Sequence, residues 1–435
     1  MKRAGKFVRY ALGTLAAASA LVVSASTAHA QAQDARGPTE EELLGRWLSS
    51  SREIEAWKTS VGAIRFEEVT ARLLPNPEVG VDFVKLIGGA APDGKYGVDA
   101  VVVVPLPVLG QIGARKAVAR RNLDVAETQL LVQLWDRAGM LAALMVQRAF
   151  ENERLAFAER SLSELQRMER VVQKRTAAGA NGPYDLLRVK IARGQHTAKR
   201  DNARIARDQA EAKLLATLAD PSLGSAPVTR EGLRAFSGPE DEGALVRTAL
   251  ARRPDLMLAR RSADAARASG DAAKKEARPI PRLNVSPYYV GGPYGFQLTF
   301  GLSMPVPLFD RNQGLVGRAN EEARGNDLTA EVLTERIRAE VRGAFAARQA
   351  SAKALASYRA ETMATAEQLM SRAEVTYEAG AFTIAELFDA YETLWNAREE
   401  DLDLERQWAD AEVALEQAAV LLPLPRKPAP DASRR

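Results

Sequence analysis

Phe296-Gln297-Leu298-Thr299-Phe300-Gly301-Leu302-Ser303-Met304 runs straight into Pro305-Val306-Pro307-Leu308, and no further proline occurs until after Leu421. In the first nine residues a large apolar side chain takes every second place, and small or polar residues take the places between. A period of two is a strand with one apolar face. Proline ends a hydrogen-bonded ladder and presets φ for a turn or a first helical position. The Ala, Leu, Glu, Arg and Gln that dominate the following residues are strong helix formers. The stretch therefore predicts a strand, a proline junction and a long helix. A partner strand, residues 283–290, precedes it through Gly291-Gly292-Pro293-Tyr294, a turn signal.

The same order of marks occurs about 200 residues earlier, as in one large unit built twice. Pro105-Leu106-Pro107-Val108 anticipates Pro305-Val306-Pro307-Leu308. Ala178-Gly179-Ala180 with Asp185-Leu186-Leu187 anticipates Ala379-Gly380-Ala381 with Glu386-Leu387-Phe388. Strands are predicted over 78–86 and 96–104, joined by the Gly- and Asp-rich residues 88–94. Each is close to the roughly 9 to 11 residues of a tilted membrane strand. The aromatics Phe83, Tyr96, Tyr288, Tyr289, Tyr294 and Phe296 gather near the loop ends, as in an interfacial girdle.

After each junction comes a proline-free helical pattern. Leu155, Leu162, Leu165 and Val172 are spaced as a packing seam, and so are Phe388, Tyr391, Trp395 and Leu402. A helix over 115–178 would be roughly 95 Å long at about 1.5 Å per residue. It carries too many charges to cross a membrane. Gly179 with Gly182-Pro183 breaks the first pattern, and Gly380 breaks the second. Second helices follow over 184–218 and 384–420, so each repeat contains a long helical hairpin. Single short helices are predicted before each β-hairpin, over 40–73 and 244–277. The expected organisation is a leader at 1–30; repeat 1 at 31–218, with its β-hairpin at 78–104 and its tip near 179–183; and a linker at 219–243. Repeat 2 follows at 244–421, with its β-hairpin at 283–304 and its tip near 380–383, and then a Pro-rich tail at 422–435.

The leader has the form of a secretion signal: basic Lys2, Arg3, Lys6 and Arg9, an apolar stretch, and Ala28-His29-Ala30 as a cleavage site. The whole chain carries 60 Lys+Arg against 56 Asp+Glu. Removing those four basic residues leaves equal numbers, so the apparent basicity gives no warrant for nucleic-acid binding. No cysteine is present, which excludes disulfides, thiolate sites and a lipid-bearing cysteine. Only His196 remains beyond His29, so neither a histidine metal cluster nor more than one catalytic histidine is available. His196 is expected on a solvated helix face. No cofactor is predicted, and no constellation supports an enzyme.

Four strands cannot close a membrane barrel, since the smallest use about eight, and open edges are forbidden in lipid. The chain must therefore oligomerise to close, and three copies would give twelve strands; the fold class is mainly α with a transmembrane β-barrel portion, internally duplicated.

These residues resemble the TolC-like outer-membrane efflux family across essentially the whole mature chain. The marks are Leu74-Pro75-Asn76-Pro77-Glu78, Ala251-Arg252-Arg253-Pro254-Asp255-Leu256, Pro305-Val306-Pro307-Leu308-Phe309-Asp310, and Tyr377-Glu378-Ala379-Gly380 running to Glu386-Leu387-Phe388-Asp389-Ala390. Within the family the chain is most similar to channels of heavy-metal and drug efflux pumps, although many metal-efflux members carry a lipid-anchored cysteine. The resemblance implies a homotrimer in the outer membrane of a Gram-negative bacterium, in contact with its lipid and extending into the periplasm. There it would meet a periplasmic adaptor and an inner-membrane pump. It implies adaptor-binding tips at Gly179 and Gly380, and a channel entrance near Asp185, Glu386, Asp389, Tyr377 and Phe382. Some members have an arginine where this chain has Phe382, so a salt-bridged lock of that design is not carried over.

Glu386 and Asp389 have two readings: first-turn charges favoured by the helix dipole, or an acidic ring at a tunnel mouth. Tyr377 and Phe382 divide in the same way between tip packing and gate. Pro105, Pro107, Pro305 and Pro307 mark the strand–helix junctions. The function expected is a passive conduit of a tripartite efflux system for small molecules or metal ions. The alternatives are an exit duct of a type I-like protein secretion system, and a periplasmic coiled-coil scaffold with no channel.

Overall fold

The computed structural model describes residues 38–85, 87, 96–177, 182–219, 228–236, 238–290 and 295–422. The leader, the tip glycine Gly179, the turn at 291–294, part of the linker and most of the tail lie outside them. The described residues form two compact units, and each draws on both sequence repeats. One takes residues up to 52, 137–240 and from 343 onward; the other takes 53–136 and 241–342.

The second unit holds a four-stranded sheet. Strands β1 (Glu78–Lys85), β2 (Tyr96–Pro105), β3 (Arg282–Val290) and β4 (Gly295–Ser303) lie in the order β1-β2-β3-β4. All three pairings are antiparallel. The register sorts the side chains by face. Val79, Val81 and Phe83 stand opposite Val102, Ala100 and Val98. Val102 and Val98 stand opposite Val285 and Tyr289, which face Phe300 and Phe296. The alternate set contains Asp82 opposite Asp99, then Tyr288 opposite Gln297 and Ser286 opposite Thr299. The sheet thus has one apolar face and one on which polar residues are mixed with Val84, Val101 and Val103.

The apolar face is uncovered. Val79, Val81, Phe296, Leu298, Phe300 and Leu302 are all exposed, and Phe83 is 82% exposed. The outer edges of β1 and β4 have no partner strand among the described residues. Within the sheet the β2–β3 register is interrupted at Ser286-Pro287, where the proline has no N–H to give.

The helices of this unit are α2 (Arg52–Thr70), α5 (Glu242–Arg252), α6 (Pro254–Glu276), with residues 111–136 of α3 (Gln111–Ala177) and 313–342 of α7 (Gln313–Tyr358). Gly270 lets α6 approach α7, because a Cβ there would lie 3.2 Å from that of Ala319. Arg115 of α3 holds Glu276 of α6 through two hydrogen bonds of 2.7 and 3.0 Å. Buried Arg253 donates to Asp255 and Glu340 and lies 4.7 Å from the Trp135 ring centroid. The Arg-Arg-Pro-Asp-Leu mark is therefore a helix junction.

Three helix predictions need correction. Residues 40–73 are not one helix. α1 (Glu40–Ser50) stops before Ser51, which is extended, and α2 begins at Arg52. The Ser49 and Ser50 hydroxyls donate to the Arg46 carbonyl at 3.0 and 2.7 Å. Such bonds compete with the helical ladder. Residues 244–277 are divided between α5 and α6 at Arg253-Pro254. Proline disfavours helical geometry in the residue before it, and Arg253 has ψ 121°. Finally, the long second-repeat helix is interrupted by a π-helical turn, Arg359–Met363, before α8 (Ala364–Glu378). Arg359 holds Asp401 and Glu405 there, and the Tyr358 hydroxyl donates to the Ala397 carbonyl at 3.1 Å.

The other unit packs α1, the rest of α3, α4 (Pro183–Leu218), α8 and α9 (Ile384–Ala418). Leu165, Met168 and Val172 of α3 meet Val189 and Ala192 of α4, Met370 and Ala373 of α8, and Leu387, Phe388, Leu394 and Trp395 of α9. Leu162, Leu165 and Val172 are buried, as are Phe388 and Trp395, so the predicted seams are the packing faces. α1 buries Leu43, Leu44 and Trp47. Its Glu40 carboxylate accepts the Arg234 backbone N–H at 3.0 Å, while the Arg234 side chain pairs with buried Glu416.

Candidate functional site at the hairpin ends

The second hairpin turns through a Schellman motif. Ala379 is the C-cap of α8, and Gly380 follows with φ +78°, a conformation glycine adopts without steric cost. The Gly380 N–H donates to the Tyr377 carbonyl at 3.0 Å, and the Ala381 N–H to the Thr376 carbonyl at 3.0 Å. Thr383 then caps α9. Its hydroxyl oxygen accepts the Glu386 N–H at 3.3 Å, and the Glu386 carboxylate accepts the Thr383 N–H at 2.7 Å. These bonds from Thr383 lower the Glu386 pKa below the ordinary carboxylate value. Glu386 is thus committed to a cap and is exposed.

Asp389 is also exposed, but it is ion-paired to Arg188 of α4. The Arg188 guanidinium lies 5.3 Å from the Phe388 ring centroid. Tyr377 accepts a 2.6 Å hydrogen bond from Arg175 of α3, whose guanidinium lies 4.8 Å from its ring centroid. Phe382 is half-buried against the α3–α4–α8–α9 cluster. Asp185 sits half-buried in the first turn of α4, behind Pro183. The structure therefore brings Tyr377, Phe382, Glu386 and Asp389 together at one end of this unit. Gly179 lies outside the described residues.

Sequence reasoning missed the arginines. Arg175 and Tyr377 are 202 residues apart, Arg188 and Asp389 are 201 apart, and Lys199 and Glu399 are 200 apart. These separations lie close to the offset between the repeats. Aligning Ala178 with Ala379 sets Arg188 against Asp389 and leaves the other two pairs one place out of register.

His196 corrects a prediction. It is 3% exposed, not solvated. Nδ1 lies 3.1 Å from the Ser161 hydroxyl of α3 and Nε2 lies 3.3 Å from the Glu392 carboxylate of α9. Its ring centroid is 4.8 Å from that of Trp395. Burial lowers its pKa from 6.5, against the opposing pull of Glu392. The apolar stripe of α4 turns His196 inward, and Glu392, far away in sequence, makes that tolerable.

In the sheet unit the four prolines occupy matching junctions. The Val108 N–H donates to the Leu106 carbonyl at 2.8 Å, and the Leu308 N–H to the Val306 carbonyl at 2.9 Å. Pro107 and Pro307 are each the central residue of a three-residue turn. Pro105 closes β2, and Pro305 follows β4. Before each long helix comes a residue at positive φ, Gly110 at 92° and Asn312 at 57°. Gln111 and Gln313 then each accept a backbone N–H from two residues earlier, at 3.0 and 2.8 Å. The duplication thus extends to individual hydrogen bonds.

Among the described residues no group of three or more His, Asp or Glu could hold a metal ion, and no helix is long and apolar enough to cross a membrane. Residues 245–419 match the family model described as outer membrane efflux protein. The chain is 25% identical over 376 residues to the cobalt-zinc-cadmium resistance protein CzcC of Cupriavidus metallidurans, covering 84% of this chain and 86% of that one. Its fold matches the CusC channel with a TM-score of 0.72 at 20% identity, covering 88% of this chain and 92% of that one. It matches the outer membrane protein VceC of Vibrio cholerae with a TM-score of 0.69 at 16% identity, covering 87% and 95%.

Proposed function

We propose that the chain is an outer-membrane efflux channel of TolC-like fold that works as a homotrimer in a tripartite pump. Three four-stranded sheets would join β1 to β4 of the next copy and close a twelve-stranded barrel. Its apolar face would meet outer-membrane lipid, and its mixed face would line the lumen. The observation that carries this reading is the sheet itself, with its uncovered apolar face and two unpaired edges. Such a sheet cannot persist in lipid as a single copy.

In this reading the hairpin ends, at Gly179 and at Gly380, receive a periplasmic adaptor that joins the channel to an inner-membrane pump. Tyr377, Phe382, Asp185, Glu386 and Asp389 stand around the entrance. The likeness to a cobalt-zinc-cadmium resistance protein favours divalent metal ions as cargo. The test is the mass of the purified mature protein in detergent, together with cross-linking of β1 to β4. Because the natural chain has no cysteine, paired cysteines introduced into β1 and β4 give an unambiguous readout. A trimer with cross-links between copies is expected. A monodisperse monomer without detergent would refute the reading and favour a scaffold.

A further inference from the structure

We propose that His196, with Ser161 and Glu392, is an acid-sensitive latch that ties the first hairpin to α9 and loosens when the imidazole takes up a proton.

The latch spans three helices. α3 presents Ser161, Glu164 and Arg154; α4 presents His196 and Lys199; α9 presents Glu392, Trp395 and Glu399. Trp395 donates its indole N–H to Glu164 at 3.0 Å, so α9 is also fastened to α3 beside the histidine. α4 and α9 run in parallel, and three polar ties cross between them: Arg188–Asp389, His196–Glu392 and Lys199–Glu399. The outer two join permanently charged, partly exposed groups. Only the middle tie is built on a buried side chain that changes charge near neutral pH.

The bonding differs between the two protonation states. With neutral imidazole, the Ser161 hydroxyl donates to Nδ1 and Nε2–H donates to Glu392, so both ring nitrogens are satisfied. With imidazolium, Nδ1 becomes a donor to Ser161, whose hydroxyl turns to the Ala158 carbonyl at 3.0 Å. Every bond can still be made, but a charge now sits in a nearly closed site. Its counter-ion is reached only at 3.3 Å, and Lys199 lies nearby with the same sign. A cavity of about 300 Å³ lined by Arg154, Asn202, Lys199 and Glu399 opens beside the ring. It gives water a route to the charge once α4 and α9 separate. Burial lowers the histidine pKa. The folded state therefore resists protonation more than the unfolded chain does, and stability is lost as pH falls through and below 6.5.

His196 is the only histidine beyond the expected leader. Histidine-selective NMR of the mature protein, purified without a histidine tag and placed in lipid nanodiscs, reads this residue alone. A titration midpoint below 6.5 is expected; one at or above 6.5 overturns the proposal. Hydrogen exchange, corrected for its intrinsic pH dependence, should show α9 around Glu392 and α4 around His196 losing protection from pH 7.5 to pH 5. His196→Gln should remove that difference, and Glu392→Gln should move it to lower pH. If wild type and His196→Gln lose protection equally, the latch does not exist. Conductance in planar bilayers separates this from the entrance reading: a latch that opens in exchange but leaves conductance unchanged counts against the entrance at this end, not against the latch.

Discussion

Replacing Leu298 by arginine tests which way the sheet faces. β4 has nine residues and its middle is Thr299. At about 3.4 Å per residue and a tilt of about 40°, Leu298 lies within about 3 Å of the strand's midplane. Leu302 lies about 8 Å away on the same reckoning. An arginine on the lipid face costs about 2–4 kcal/mol at the midplane and about 0–1 near the interface. Leu298→Arg should therefore shift the folding equilibrium about 30- to 700-fold per chain, at about 1.4 kcal/mol per decade. Leu302→Arg should cost clearly less. Thr299 belongs to the other face, opposite Ser286, so Thr299→Arg should cost little although it neighbours Leu298. The assay is urea-dependent folding into phospholipid vesicles, supported by the yield of trimer in outer membranes. If Thr299→Arg is as damaging as Leu298→Arg, or if Leu298→Arg assembles normally, the apolar face does not meet lipid and the barrel reasoning fails.

Three further outcomes are expected. Gly380→Val places a β-branched residue at φ +78° and should cost roughly 1–2 kcal/mol of local strain; trimers should still form while efflux is lost, and wild-type metal resistance would count against the tip assignment. Since Arg188 neutralises Asp389, Arg188→Gln should increase the cation preference of reconstituted channels, and Glu386→Gln with Asp389→Asn should reverse it; unchanged reversal potentials would make these first-turn charges and nothing more. Glu416 is held up at about 7 by burial, with Arg234 opposing and Glu40 adding to the rise. The folded state keeps this proton between about 4.5 and 7 while the unfolded chain loses it, so stability should fall as pH rises across that window and then level off; thermal midpoints of Glu416→Gln should show a smaller fall between pH 5 and pH 8.

Much of this architecture is local, and so it is legible in order along the chain. Alternation in 296–304 is a statement about the two faces of one strand, and the proline junctions and tip glycines act on their own backbone. Hence β4, the Schellman turn at Gly380 and the long helices could be read without any partner. The repeat offset also lies close to the separation of three pairs that bond across the hairpins.

What only the tertiary structure decided depends on neighbours remote in sequence. Nothing near His196 announces that Ser161 and Glu392 will enclose it. The division of both repeats between two compact units is invisible in sequence, because α3 and α7 each contribute to both. The helix breaks at Ser51 and at Arg253-Pro254 stand in the sequence as local serine and proline signals. The physical reason is the same throughout. Backbone preference is set within a few residues, whereas burial and charge compensation are set by whatever the fold brings alongside.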